Sequence, residues 1–305
     1  DGTVYVTIGA YNPAEYTNLF AIDGVNGKIK WTVPIGQATL PAIASDGTIY
    51  LLDRGYLRSF NHSGDENWRI KLFDEGIDQF RFSKGFSITI TQKGMIVVSD
   101  ISGVYLCTPS GTLKWCYKPK QFIYSTCAAI DDSGIIYVVD DIGVQAINDG
   151  GKVIWTCKIP KNVYMIFCAP CLDSKNNIYV VRMIDKENLY LYSINDKGKI
   201  NWDYLLGPEG GANYQPAIGL DDTIYLWRYN RTHEASNDEI KAIVSAMKPD
   251  RTIKSQIEFS TNMFYLLPTK EKIFCYCNGY MYTLDFNLSI TSQTITQLND
   301  VRFGF

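Results

Sequence analysis

Apolar and polar residues alternate along most of this chain in short runs bounded by turn residues. Between residues 40 and 70 four such runs follow one another, at 40–44, 49–52, 56–60 and 66–70. A period of two places alternate side chains on opposite faces of a strand. Asp46-Gly47 and Ser63-Gly64 lie between runs and supply the backbone conformations that tight hairpins require. The pattern predicts a sheet of four short antiparallel strands.

One short phrase recurs five times along the chain. It is a glycine followed four residues later by tryptophan, and successive copies lie 37 to 47 residues apart. The copies are Gly27/Trp31, Gly64/Trp68, Gly111/Trp115, Gly151/Trp155 and Gly198/Trp202. A period of this length on strand-like sequence is typical of an array of one repeated supersecondary unit.

A second phrase, a turn followed by β-branched and aromatic residues, occurs seven times in phase with the first. Its turns lie near residues 2, 47, 94, 134, 176, 222 and 271. Gly, Asn and Asp at these turns tolerate the left-handed backbone of tight hairpins. Seven copies of a four-stranded unit predict an all-β, seven-bladed β-propeller of antiparallel blades, with residues 1–305 as a single domain.

Three details of the ring follow from the same pattern. The tryptophan comes early in the fourth strand, where a large flat ring can pack between neighbouring blades. Blades six and seven have Lys254-Ser255 and residues 287–292 in its place, so their packing must differ. Residues 301–305 read as a first strand without a blade, and Asp1-Gly2 is a turn without a first strand. We expect the C-terminal strand to complete blade one and close the ring.

The segment from Ala21 to Trp31 resembles the AxDxxxGKxxW signature of pyrroloquinoline-quinone-type propeller repeats, and 149–155 and 196–202 are similar. Such repeats occur in quinone-dependent dehydrogenases, in non-catalytic propellers and in sensor or adaptor modules. For a dehydrogenase the resemblance implies eight blades, an adjacent cysteine pair, calcium ligands and a catalytic Asp. With seven predicted blades and no adjacent cysteines, we expect the non-catalytic branch, without enzymatic activity, cofactor or metal.

Composition removes further classes of function. The formal net charge of -3 does not favour nucleic acid, and no apolar stretch is long enough for a membrane helix. The two histidines, His62 and His233, have no visible partner, which argues against His-based acid–base or metal chemistry. The acidic doublets, such as Asp140-Asp141, are interpreted as solvent-facing turn residues. The eight cysteines are interpreted as free thiols in or beside strands.

Binding is expected on the face that carries the blade-to-blade links and the turns between strands two and three, here called the loop face. It holds long insertions in blades one and six, and aromatic links. The candidate binding residues are Tyr11, Tyr16, Phe82, Phe122, Tyr124, Tyr164, Tyr214, Arg228, Tyr229 and Arg231. Aromatics with Arg favour a protein partner. A small ligand or glycan, or a vestigial quinoprotein dehydrogenase, is the alternative. The resemblance suggests an extracytoplasmic protein, whereas unpaired cysteines suggest a reducing compartment.

Overall fold

The described residues of the computed structural model are 2–8, 17–36, 38–73, 87–100, 103–119, 127–160, 169–184, 188–208, 216–230, 241–260, 265–277 and 280–295. They form 27 strands and no helix. In these ranges there is accordingly no helix suited to crossing a membrane.

The strands form seven antiparallel sheets, each built from consecutive strands. Blade one is β1 (Thr3–Ile8), β2 (Thr17–Asp23) and β3 (Ile29–Ile35). Blade two is β4 (Ala42–Ile43), β5 (Ile49–Asp53), β6 (Tyr56–Phe60) and β7 (Glu66–Lys71). Blade three is β8 (Ser87–Ile90), β9 (Ile96–Asp100), β10 (Gly103–Cys107) and β11 (Leu113–Tyr117).

Blade four is β12 (Ala129–Ile130), β13 (Ile136–Val139), β14 (Gly143–Ile147) and β15 (Val153–Lys158). Blade five is β16 (Cys171–Leu172), β17 (Ile178–Met183), β18 (Asn188–Ile194) and β19 (Ile200–Pro208). Blade six is β20 (Ala217–Ile218), β21 (Ile224–Asn230), β22 (Lys241–Met247) and β23 (Ile253–Ser260). Blade seven is β24 (Tyr265–Pro268), β25 (Ile273–Cys277), β26 (Tyr280–Leu284) and β27 (Ile290–Ile295).

The fold is a seven-bladed β-propeller, as the two repeated phrases predict. Six sheets have four strands, and the described part of blade one has three, in the order β1-β2-β3. The predicted closing strand, residues 301–305, lies outside the described residues, so ring closure stays a prediction.

Two compact units can be distinguished by their internal contacts. The first comprises residues 1–140 and 146–154, and the second comprises 141–145 and 155–305. In the first unit, Leu19, Ile35, Leu51 and Phe60 belong to a buried cluster shared by blades one and two. The second unit has similar clusters between blades five and six and between blades six and seven. Each core is therefore an interface between neighbouring sheets.

Blade six has Arg251 in place of the glycine that would face Trp202, but in blades one to four the repeated tryptophan joins its blade to the next one, as predicted. Its indole Nε1–H donates to a carbonyl oxygen in the following blade's last turn, and its ring lies against that turn's glycine. The bonds are Trp31 to His62 (2.9 Å), Trp68 to Pro109 (2.9 Å), Trp115 to Asp149 (2.7 Å) and Trp155 to Asp196 (2.9 Å). A Cβ on the facing glycine would come within 2.5 to 2.9 Å of the ring. The glycine therefore provides both positive φ and room for the indole.

Blades six and seven use a different joint. Ser255 occupies the tryptophan position of blade six, and its buried Oγ has no hydrogen-bond partner. In blade seven, Leu288 occupies the glycine position at φ 64° and is 3% exposed. Leu288 belongs to the apolar cluster of these two blades, with Phe259 and Leu284. The apolar volume that an indole supplies elsewhere thus comes here from the turn of the following blade.

Candidate functional site

The predicted binding residues fall largely on segments that the structure leaves undescribed. Outside the described residues lie Tyr11, Tyr16, Phe82, Phe122, Tyr124, Tyr164, Tyr214 and Arg231. Tyr229 lies in β21, but only its backbone is described, whereas Arg228 is described in full. The aromatic loop face therefore stays a prediction, and Arg228 is the member whose surroundings can be examined.

Charged residues recur at one repeat position that sequence reasoning overlooked. It lies three residues after the last residue of the turn phrase, as Asp53 follows Tyr50, and it is at the loop-face end of the second strand of each blade. From blade two to blade seven its occupants are Asp53, Asp100, Asp140, Arg182, Arg228 and Cys277. Aligning the seven turn phrases and reading three residues further would have revealed this series of three acids and two arginines.

The acidic residue at this position in blade two, Asp53, has a structural role. Asp53 accepts a hydrogen bond from the backbone N–H of Gly36 (2.9 Å) and pairs with Arg58 Nη1 (2.7 Å). Arg58 also reaches Glu66 at 2.7 Å and lies over the ring of Phe60. Burial opposes the charge on Arg58, but its hydrogen bonds to Glu66 and Asp53 prevail and raise its pKa. This cluster shows how the fold pairs a guanidinium whose side chain is 11% exposed.

The doublet Asp140-Asp141 is not solvent-facing, so its interpretation as an exposed turn was wrong. The two residues are 1% and 9% exposed. In the second unit, the carbonyl of Asp141 accepts a 3.5 Å hydrogen bond from Arg182 Nη2, and Arg182 itself is 4% exposed. Arg182 is 41 residues away from Asp141 in sequence, so this contact could not be predicted from the local composition of the doublet.

Arg228 lies at the same position one blade further, at the end of β21, and is only partly buried. Gly207 of β19 adopts φ 120°, and a Cβ there would lie 3.7 Å from Arg228 Nη1. Across the sheet Arg228 is paired with Ile243 of β22, which is 7% exposed. In the part of the chain that the structure describes, Arg228 forms no hydrogen bond or ion pair. It therefore differs from Arg58, which binds two carboxylates.

Several buried tyrosine hydroxyls are hydrogen-bonded to aspartates of the turns. Tyr137 Oη–H donates to Asp131 (2.8 Å), and Tyr179 Oη–H donates to Asp173 (2.9 Å). In blade six a glycine, Gly219, stands in place of this aspartate, and the buried hydroxyl of Tyr225 has no partner. These carboxylates fix turns and cap buried tyrosines.

The cysteines that the structure describes are free, in agreement with the sequence interpretation; Cys168 lies outside the described ranges. Burial raises the pKa of Cys107 to about 12 and that of Cys277 to about 11. Burial also raises the pKa of Cys157. A raised thiol pKa suppresses the nucleophilic thiolate, so these residues behave as small apolar side chains.

The dehydrogenase branch of the resembled family implies calcium ligands and an adjacent cysteine pair. Within the described ranges, no group of three or more His, Cys, Asp or Glu side chains could hold a metal ion. Cys275 and Cys277 are separated by one residue, and both are free. His62 is exposed, and its carbonyl oxygen serves the Trp31 joint.

Similarity to solved structures supports the fold. A catalytically inactive virginiamycin B lyase from Staphylococcus aureus with quinupristin matches with TM-score 0.59 and 12% identity, over 90% of this chain and 96% of that chain. A quinohemoprotein alcohol dehydrogenase from Pseudomonas putida HK5 matches with TM-score 0.66 and 12% identity, over 97% and 65%. BamB from Moraxella catarrhalis matches with TM-score 0.53 and 14% identity, over 84% and 87%.

The chain has a quinoprotein-like β-propeller fold. No protein-family model matches the sequence, and no curated protein matches it. At identities this low, structural similarity shows the fold of this chain and does not show its activity.

Proposed function

We propose that this propeller is a non-catalytic scaffold, a sensor or adaptor module that binds a protein partner through its loop face. The observation that carries the proposal is that the described acidic side chains and thiols have structural roles. Asp53 accepts a hydrogen bond from the backbone of Gly36, and Asp131 and Asp173 accept hydrogen bonds from tyrosine hydroxyls. Burial raises the pKa of the Cys107 thiol. The repeats that the chain resembles also occur in non-catalytic propellers, which agrees with this use.

The tryptophan–glycine contacts between neighbouring blades support a role in presenting binding loops. These contacts position the strand ends, and binding residues are commonly carried on loops that a packed scaffold positions. The long insertion between β1 and β2 and the one between β21 and β22 both leave from the loop-face ends of their strands. Tyrosine and arginine on such loops are typical anchors of protein interfaces.

The proposal is tested by capturing a partner with matched surface variants. The tagged chain is incubated with extract of the cells that produce it, and retained proteins are identified by mass spectrometry. Tyr11→Ala/Tyr16→Ala alters the loop between β1 and β2. Val25→Ala alters the turn at the opposite end of β2, where Val25 is 93% exposed.

We expect a partner that wild type and the Val25 variant retain equally, and that the double tyrosine variant retains about tenfold less, because a hot-spot aromatic contributes more than about 1.4 kcal/mol. Equal retention by all three proteins, or no retained protein, would count against a loop-face partner. A rise in melting temperature with pyrroloquinoline quinone and calcium would overturn the non-catalytic assignment. A rise with a sugar alone would favour the glycan alternative.

A further inference from the structure

Arg228 is a cation without an internal counter-charge in the described part of the chain. Its position at the end of β21 is only partly open to solvent, and it makes no hydrogen bond or ion pair there. Taking a guanidinium partly out of water costs free energy unless an acceptor replaces the lost hydration. Arg58 shows the usual solution in this fold, with carboxylates of Asp53 and Glu66 each at 2.7 Å.

The described residues around Arg228 are two buried apolar side chains and a glycine. Leu226, two residues earlier on the same face of β21, is 5% exposed and belongs to the cluster of blades five and six. Ile243 lies across from Arg228 and is also buried. Gly207 presents no side chain toward Nη1. A charge-assisted bond formed over an apolar floor is stronger than the same bond in bulk water.

The carboxylate in the same cross-strand row as Arg228 is already paired. Glu258 lies across from Ile243, but its Oε2 is 3.1 Å from Lys241 Nζ, and both side chains are about half exposed. At the equivalent position of blade five, Arg182 adds a second guanidinium, which bonds to the carbonyl of Asp141. The loop-face ends of β17 and β21 thus carry two positive charges.

We propose that Arg228 is the anchor for a carboxylate of the partner, presented by an acidic peptide segment that approaches past Gly207. This inference rests on the proposed protein-binding function and names the chemistry of its partner. One accessible guanidinium can form a two-bond fork with one carboxylate. Recognition of phosphorylated segments typically uses clusters of arginines, and Arg182 is too deeply buried, at 4% exposure, to join such a cluster.

The test observes the guanidinium directly and needs no identified partner. The full chain, labelled with ¹⁵N, is titrated at constant ionic strength with a penta-glutamate peptide, a penta-glutamine peptide and inorganic phosphate. The Nε–H resonance of Arg228 is assigned by its loss in Arg228→Gln. Arg251→Gln is the matched control, because Arg251 is exposed in the turn at the opposite end of β22. Unfolding midpoints of both variants establish that they are folded.

We expect the Arg228 resonance to shift saturably with penta-glutamate and to stay unmoved by penta-glutamine. The affinity measured on backbone resonances should fall about tenfold in Arg228→Gln, because the substitution removes the charged two-bond fork, and it should stay unchanged in Arg251→Gln. Arg228→Lys should restore only part of it. No shift, or tighter binding of phosphate than of glutamate, would overturn the proposal.

The two proposals fail in different ways. If the tyrosine variants lose a captured partner but Arg228 does not respond to glutamate, only the carboxylate anchor is wrong. If Arg228 binds glutamate but no partner is captured, the anion site stands and the scaffold function is wrong.

Discussion

Replacing a joint glycine by alanine should cost far more stability than replacing a glycine of the same backbone conformation in open space. Gly111 has φ 83°, and a Cβ there would lie 2.7 Å from Cδ2 of Trp68. Gly47 has φ 85°, and a Cβ there would meet nothing within 4 Å. The pair Gly111→Ala and Gly47→Ala therefore isolates the indole contact from the cost of positive φ.

The expected magnitudes follow from two terms. Alanine at positive φ costs about 1–2 kcal/mol, and the loss of glycine's freedom in the unfolded chain returns about 0.4–1 kcal/mol. Gly47→Ala should therefore lower the free energy of unfolding by about 1 kcal/mol. Gly111→Ala adds an overpacking term of about 1–3 kcal/mol. The ring could escape the clash only by weakening the 2.9 Å bond from Trp68 to Pro109, which costs about 1 kcal/mol.

Urea unfolding followed by fluorescence and circular dichroism measures both variants, with coincident transitions as the condition for a two-state treatment. Repeating Gly111→Ala in a Trp68→Leu background should reduce its cost by more than about 1 kcal/mol. The reasoning is refuted if the two glycine variants differ by less than about 0.5 kcal/mol. It is refuted equally if the cost of Gly111→Ala does not depend on Trp68.

Four further substitutions test buried polar and titratable groups. Tyr179→Phe should lower the free energy of unfolding by about 1–2 kcal/mol, because the hydroxyl bonded to Asp173 is lost, whereas Tyr225→Phe should be neutral or stabilising. Ser255→Ala should likewise be neutral or stabilising, since its buried Oγ has no partner; a loss above about 1 kcal/mol in urea unfolding would contradict this. Folding raises the pKa of Cys107 from 9.0 to about 12, so its thiol contributes stability below pH 9 that is lost as pH rises toward 12. Relative to Cys107→Ala, wild type should lose up to about 1.4 kcal/mol per pH unit across this window, and parallel pH profiles would contradict it.

The parts of the propeller that could be predicted are those whose cause is local. A tight turn needs Gly, Asn or Asp wherever it occurs, so seven copies of one turn phrase predict seven sheets. The recurrence of tryptophan at one strand position predicted its packing between blades. The joint of blades six and seven was not predictable in detail, because Leu288 at φ 64° runs against side-chain preference and is held by its burial.

The candidate site could be predicted only in part, for a related reason. Asp140-Asp141 has the composition of an exposed turn, and its burial depends on residues far away in sequence. Arg228 was selected as a loop-face residue, but its isolation from carboxylates and its approach to Gly207 belong to the tertiary structure. The spacing of residues along the chain can therefore predict where a charged side chain lies in the repeat. It cannot predict whether an opposite charge lies beside it in the folded protein.

The tryptophan joints make the order of the blades directional. Blades two, three and four each contribute an indole to the blade after it and a bare glycine to the blade before it, so neither half of a joint is complete within one repeat. A copy of blade three inserted after itself would meet a matching partner on both sides. If a blade with tryptophan in its fourth strand preceded blade seven, its indole would occupy the space that the buried Leu288 fills. Growth of such a ring by duplication is thus open among blades two to four and closed at the Ser255–Leu288 junction.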